Sequence, residues 1–129
     1  MTERGGTDLE RFVRGDADPG MFPHEQHVRM GFEILRRHDF AESAHLYSRA
    51  LRAMTQRAGR PEVFHQTITI AFLSLIAERM RAAAPMDFAE FAVRNPDLFE
   101  KSVLSRWYRP ERLASEVARH SFVLPDQVS

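Results

Sequence analysis

Two histidines three residues apart are the first groups in this sequence that can do chemistry. His24 and His27 follow Pro23, and proline is favoured as the first residue of a helix. An i,i+3 pair lies on one face of a helix, so the two imidazoles are expected on the same side. The positive end of the helix dipole disfavours imidazolium at His24, and a neutral imidazole can bind a metal or act as a base.

His65 is the third histidine of this predicted site. We expect it in the N-terminal part of a long helix running from about Pro61 to Ala84, on one face with Thr69. One intervening helix separates this run from the helix that begins at Pro23. In an up-down-up bundle the two helices are therefore parallel, which brings the three imidazoles to one height.

Three neutral imidazoles at one end of a bundle match a metal centre with open positions. This pattern predicts His24, His27 and His65 as ligands of a divalent zinc, iron or nickel ion. The same histidines and Thr69 are the candidate catalytic residues, and Thr67 or Thr69 would orient an imidazole. Two other interpretations stay open: a metal-free polar pocket in which the histidines bond to Thr69 or to backbone, and histidines with structural or solvent-facing roles.

A second cluster combines aromatic rings with guanidinium groups just before Pro110. Arg106, Trp107, Tyr108 and Arg109 could form a lid over an anionic group, because a guanidinium presents a fork of donors to such a group. Arg106, Tyr108 and Arg109 are thus the candidate substrate-binding residues. The alternative interpretation is that Trp107 and Tyr108 anchor the last helices against the bundle.

These residues fall in motifs that suggest a family. Phe-x-His-x-x-His-Val spans 22–28 and Phe-His-x-Thr-x-Thr spans 64–69, with Asn-Pro at 95–96, Trp-Tyr at 107–108 and Phe-Val-x-Pro-Asp at 122–126. From about residue 12 to 126 the chain resembles a family of small uncharacterised bacterial all-helical proteins. In that family the second motif is closer to Tyr-His-x-Thr-x-Thr, so Phe64 lacks the hydroxyl of the tyrosine at this position. The resemblance implies no reaction, but it implies that the histidines, Thr69 and the aromatic–arginine segment belong to one site.

Residues typical of helix ends divide the chain into the elements that must position these groups. The predicted helix starts and stops are the capping box Thr7–Glu10, the stop near Gly15, the capping box Asp39–Glu42, the stop at Gly59, the start at Asp87, the pair Asn95–Pro96 and Pro110. Apolar residues spaced by three and four put Leu35, Ile68, Phe72 and Ile76 in the core. We therefore predict an all-α, single-domain helical bundle of five to seven helices over residues 1–129. Residues 1–20 are expected to be partly flexible, and residues 121–129 to form an extended tail.

Composition excludes several classes of protein. The 129 residues include no cysteine, which rules out disulfides, thiolate zinc sites and cysteine nucleophiles. Eighteen basic and eighteen acidic residues cancel, so a nucleic-acid partner is not expected. The longest apolar stretch, around Ile68–Ala77, is too short to span a membrane, and the N-terminus has no apolar signal region. We expect a soluble cytoplasmic protein without a membrane partner.

Two function hypotheses remain, and whether the protein is an enzyme stays open between them. The first is a small protein with a histidine-lined pocket that works as a metal-dependent enzyme on a small anionic molecule. The second is a helical module that binds a small ligand or a protein without catalysis. A DNA-binding regulator is disfavoured, because no helix-turn-helix with a basic recognition helix is evident.

Overall fold

Helices make up the regular structure of this protein. The computed structural model describes residues 4–127, except for the side chains of residues 4–7 and 21. Residues 4–127 form seven α-helices, four short 3₁₀ helices and no strand, so the predicted all-α helical bundle of five to seven helices is confirmed. The α-helices are α1 (Arg4–Arg14), α2 (His24–Arg37), α3 (Phe40–Arg57), α4 (Gln66–Arg81), α5 (Phe88–Arg94), α6 (Pro110–Leu113) and α7 (Glu116–His120). The 3₁₀ helices are Pro19–Met21, Pro61–Val63, Pro96–Phe99 and Val103–Arg106.

The chain divides into two compact units, an N-terminal unit (Met1–Phe64) and a C-terminal unit (His65–Ser129). The single domain expected over residues 1–129 stays a prediction. Among residues 4–127, no helix has the length and apolar character needed to cross a membrane.

In the N-terminal unit, α1, α2 and α3 pack against one another. Their shared core contains the buried side chains of Phe12, Val28, Phe32, Ile34 and Tyr47. The turn between α2 and α3 follows the predicted capping pattern, because the Asp39 carboxylate accepts a hydrogen bond from the backbone N–H of Glu42 at 2.8 Å. The prediction that Leu35 lies in the core is only partly right, since this side chain is half-buried.

The end of α1 is determined by a glycine that no other residue could replace without strain. Gly15 has a φ of +83°, and a Cβ at this position would lie 3.0 Å from the Cβ of Ala53 on α3. The capping box predicted at Thr7 is wrong, because Thr7 lies inside α1. The segment expected to be partly flexible, 1–20, contains α1, and residues 1–3 of it lie outside the described residues.

In the C-terminal unit, α4 packs against α7 and against the 3₁₀ helix Val103–Arg106. The helix is shorter than the predicted Pro61–Ala84, because Pro61 starts a separate 3₁₀ helix and α4 begins only at Gln66. Phe72 and Ile76 are buried as predicted. The prediction for Ile68 is wrong, since its side chain is 39% exposed in the first turn of the shortened helix.

The last third of the chain is more broken than predicted. The helix predicted to start at Asn95–Pro96 is replaced by two 3₁₀ helices, and the run after Pro110 is split by Ser115, whose hydroxyl caps α7. Residues 122–127 form neither helix nor strand and return along the same unit, after an extended Ser121. Its backbone N–H groups at Asp126 and Gln127 donate to the carbonyl of Trp107, at 3.2 and 3.1 Å.

Candidate functional site

His24 and His27 lie in the first turn of α2, which begins directly after Pro23. Their ring centroids are 6.1 Å apart, and both side chains are half-buried. The i,i+3 spacing thus brings the two imidazoles to neighbouring positions.

His27 lines a pocket of about 450 Å³ inside the N-terminal unit. The walls come from α2, α3 and the chain around the 3₁₀ helices Pro19–Met21 and Pro61–Val63. They are predominantly hydrophobic, and their main apolar side chains are Phe22, Leu51, Met54 and Val63. This space, defined by those four residues and His27, is the His27 pocket.

The core of the unit holds the His27 end of the pocket in position. The Tyr47 hydroxyl donates to the carbonyl oxygen of His27 at 2.9 Å. The ring centroid of Phe22 lies 4.8 Å from that of the His27 imidazole, and the Phe12 ring stacks on Phe22 with a centroid distance of 5.2 Å. Complete burial raises the pKa of Tyr47 above its ordinary value, so this phenol stays a neutral hydrogen-bond donor.

The other polar groups of the His27 pocket are engaged by neighbouring atoms. The Thr55 hydroxyl donates to the carbonyl of Arg52 at 2.9 Å, and Arg60 pairs with Glu62 at 3.5 Å. The imidazole of His27, which the protein also engages, lies in the wall of a mostly hydrophobic pocket.

His65 has a structural role in the C-terminal unit. It is the N-cap of α4, and its Nδ1 accepts from the backbone N–H of Ile68 at 3.1 Å. Its Nε2 lies 2.7 Å from the carbonyl oxygen of Leu113. A backbone N–H only donates and a carbonyl only accepts, so the proton must be on Nε2. Neither ring nitrogen retains a lone pair for a metal in this arrangement.

Thr67 and Thr69 do not orient an imidazole. The Thr69 hydroxyl donates to the backbone carbonyl of His65 at 2.7 Å, one helical turn back. The Thr67 hydroxyl donates to the carbonyl of Ser121 at 2.7 Å and accepts from the N–H of Val123 at 3.1 Å. Both threonines are buried, and both hydroxyls bond to backbone groups.

The histidines, aspartates and glutamates of the described residues are not grouped as a metal site. Among them, no three side chains are arranged to hold an ion. The structure therefore lends no support to a zinc, iron or nickel centre built from His24, His27 and His65.

Arg106 already has a carboxylate partner. Its guanidinium contacts Asp97 at 3.1 Å, lies 5.0 Å above the ring of Trp107, and shares Asp97 with Arg79. Hydrogen bonds from Arg79 lower the pKa of Asp97, although partial burial opposes this shift. The predicted anion lid thus has one of its two guanidiniums held by a protein carboxylate.

Tyr108 and Arg109 also donate hydrogen bonds to the C-terminal segment. The buried Tyr108 hydroxyl donates to the carbonyl of Val123 at 2.8 Å, and burial raises its pKa. The backbone N–H of Arg109 donates to the Asp126 carboxylate at 2.9 Å, while the side chain of Arg109 is exposed. The alternative interpretation, in which Trp107 and Tyr108 anchor the last helices against the bundle, stays a prediction, since these bonds hold the C-terminal segment.

Apart from His27, the residues that line the His27 pocket are candidate site residues that sequence reasoning missed. Leu51 and Met54 follow the same three-residue spacing as core residues on α3. A pocket wall and a core residue have the same pattern in one sequence, because the difference is only whether another side chain fills the space.

Comparison of this chain with known protein families, with curated proteins and with solved structures finds no match. The resemblance to a family of small bacterial proteins stays a prediction.

Proposed function

We propose that the N-terminal unit binds a small, largely hydrophobic molecule in the His27 pocket and that the protein acts as a ligand-binding module. The observation that carries this proposal is a hydrophobic pocket of about 450 Å³ with an imidazole in its wall. Small-molecule sites in proteins are clefts of roughly 300–1,000 Å³ with apolar walls and few polar groups.

The walls favour a flat, aromatic ligand. Phe22 and the His27 imidazole present ring surfaces, and Met54 adds a thioether, which adapts to and contacts aromatic rings well. Since Phe22 is held by stacking on Phe12, ligand binding requires little reorganisation of this wall.

The hypothesis of a metal-dependent enzyme acting on a small anionic molecule has less support. It uses His24, His27 and His65 as ligands or acid/base groups, and Arg106 or Arg109 to hold the anion. Two of these groups already have structural partners: His65 bonds to Ile68 and Leu113, and Arg106 bonds to Asp97.

Methionine methyl groups provide a direct test in the intact protein. With ¹³C-methyl methionine, titration with indole should shift the Met54 resonance and leave those of Met80 and Met86, which lie in the C-terminal unit, unchanged. A dissociation constant of about 1 mM is expected for a fragment of roughly ten non-hydrogen atoms. Met54→Leu assigns the resonance.

A filled pocket provides the matched control. Ala58 is exposed at the pocket, so Ala58→Phe should occupy the space and abolish the shift of Met54. Ala41→Phe makes the same change at an exposed position of α3 outside the pocket lining and should leave indole binding intact. Equal binding to both variants, or no shift of Met54 with indole, would contradict the proposal.

A further inference from the structure

A second cavity lies in the C-terminal unit. A groove of about 260 Å³ runs between α4, the segment around Trp107 and the extended tail. Ala71, Ser74, Leu75 and Glu78 form its floor, since residues spaced by three, four and seven share one face of a helix. We call this space the Trp107 groove. It is independent of the His27 pocket, whose lining comes from the N-terminal unit.

The far wall of the Trp107 groove is held in place before any ligand arrives. Phe122 and Pro125 line it, and the backbone between them is fixed by the bond from Tyr108 to Val123. The next residues after Pro125 bond through their N–H groups to the carbonyl of Trp107. A preorganised wall loses little entropy when a ligand binds.

Three polar groups that line this groove have no hydrogen bond among the described residues: the carboxylate of Glu78, the hydroxyl of Ser74 and the indole N–H of Trp107. The nearby arginines already have a carboxylate partner. Arg79 and Arg106 both bond to Asp97. The charge of Glu78 also acts on the neighbouring Arg79, but its carboxylate accepts no hydrogen bond among the described residues and can therefore pair with a ligand in this groove.

The combination of aromatic rings with a carboxylate selects a cation. Ring faces of tryptophan, tyrosine and phenylalanine attract ammonium and guanidinium groups, and a carboxylate adds direct charge pairing. Trp107 already holds a guanidinium, that of Arg106, 5.0 Å from its ring centroid. Phe122, which is 43% exposed, offers a further aromatic surface along the groove.

We infer that the Trp107 groove binds an organic ammonium ion that carries a small hydrophobic body. The ammonium would lie against Glu78 and the aromatic rings, and the hydrophobic body would cover Leu75 and Leu104. A volume of about 260 Å³ suits a small molecule or one ammonium-bearing side chain better than an extended segment.

Trp107 is the only tryptophan of the chain, so its fluorescence reports on this groove alone. Phenyltrimethylammonium should change the emission of Trp107 with saturable binding. Its neutral isostere tert-butylbenzene should bind about tenfold more weakly, and benzoate should not bind. Nα-acetyl-lysine methylamide tests whether a lysine side chain is the source of the cation: tighter binding of this probe indicates a protein partner, and tighter binding of phenyltrimethylammonium a free amine.

Glu78→Gln removes the charge and keeps the size of an exposed side chain. It should weaken binding of phenyltrimethylammonium about threefold, while Glu100→Gln, at an exposed position outside the groove, should leave it unchanged. Far-UV circular dichroism confirms that both variants are folded. Equal affinities for the cation and its neutral isostere, unchanged binding by Glu78→Gln, or no response of Trp107 to either cation would overturn the inference.

Discussion

At the residue scale, His65 shows why a histidine is hard to interpret from sequence. Its type and its place near a helix start fit a metal ligand, a base and an N-cap equally well. The decision depends on Leu113, which is 48 positions away and accepts from Nε2. No local pattern encodes a contact at that separation, so the tautomer and the role of this ring could not be predicted.

Substitution of His65 should separate the capping bond from the bond to Leu113. His65→Ala loses both and should lower the free energy of unfolding by about 2 kcal/mol, the sum of a lost cap and a lost carbonyl partner. His65→Asn should recover about 1 kcal/mol, because asparagine is a preferred N-cap but is too short to reach Leu113. Urea unfolding followed by circular dichroism measures both values. A loss for His65→Asn as large as that for His65→Ala would show that the cap contributes nothing.

At the element scale, helix ends that depend on neighbouring residues could be predicted, and those that depend on distant residues could not. Asp39 and Asp87 cap α3 and α5 as expected, because each carboxylate bonds to a backbone N–H three residues later. The predicted start of α4 at Pro61 is five residues too early, because proline fits the first turn of a 3₁₀ helix and of an α-helix equally well. The extended tail was expected, but its attachment to Thr67 was not.

Thr67 connects α4 to this tail through two hydrogen bonds, to Ser121 and Val123. Thr67→Val keeps the shape of the buried side chain but leaves both backbone groups without this partner, so it should cost about 2 kcal/mol. Amide hydrogen exchange at Val123 should accelerate about tenfold or more as the tail detaches. Thr67→Ser keeps the hydroxyl and serves as the control, with slow exchange retained. Unchanged protection of Val123 in Thr67→Val would mean that the tail is held by other contacts.

At the scale of the whole molecule, the helical class followed from composition and periodicity, but the organisation of the sites did not. The family resemblance implies one site that combines the histidines with the aromatic–arginine segment, and this stays a prediction. The structure has the His27 pocket, lined by the N-terminal unit, and the Trp107 groove, lined by the C-terminal unit. Sequence spacing predicts which residues share a helix face, but it does not reveal where the helices leave space.

Although the net charge of the chain is zero, the ion pair between Asp97 and Arg79 makes the stability of the protein depend on pH. Asp97 bonds to Arg79 through two oxygens, at 3.0 and 2.8 Å, with side chains that are 32% and 26% exposed. Because these bonds lower the pKa of Asp97 in the folded state, the stabilisation is complete above the unfolded pKa of about 4. It is lost as the pH falls through the lower folded value.

Asp97→Asn should therefore lower the free energy of unfolding by about 1 kcal/mol at pH 7, a value between those of exposed and buried charged pairs. The difference from the natural protein should shrink as the pH falls below 4 and should vanish once the pH lies below the lowered pKa of Asp97 in the folded protein, because both proteins then have a neutral side chain at this position. Glu90→Gln is the control. Glu90 and its partner Arg94 are both more than half exposed, so this substitution should lower the free energy of unfolding by less than about 0.5 kcal/mol. Urea unfolding at pH 7, 4 and 2 measures these differences. If Asp97→Asn costs the same at all three pH values, the carboxylate does not contribute through its charge.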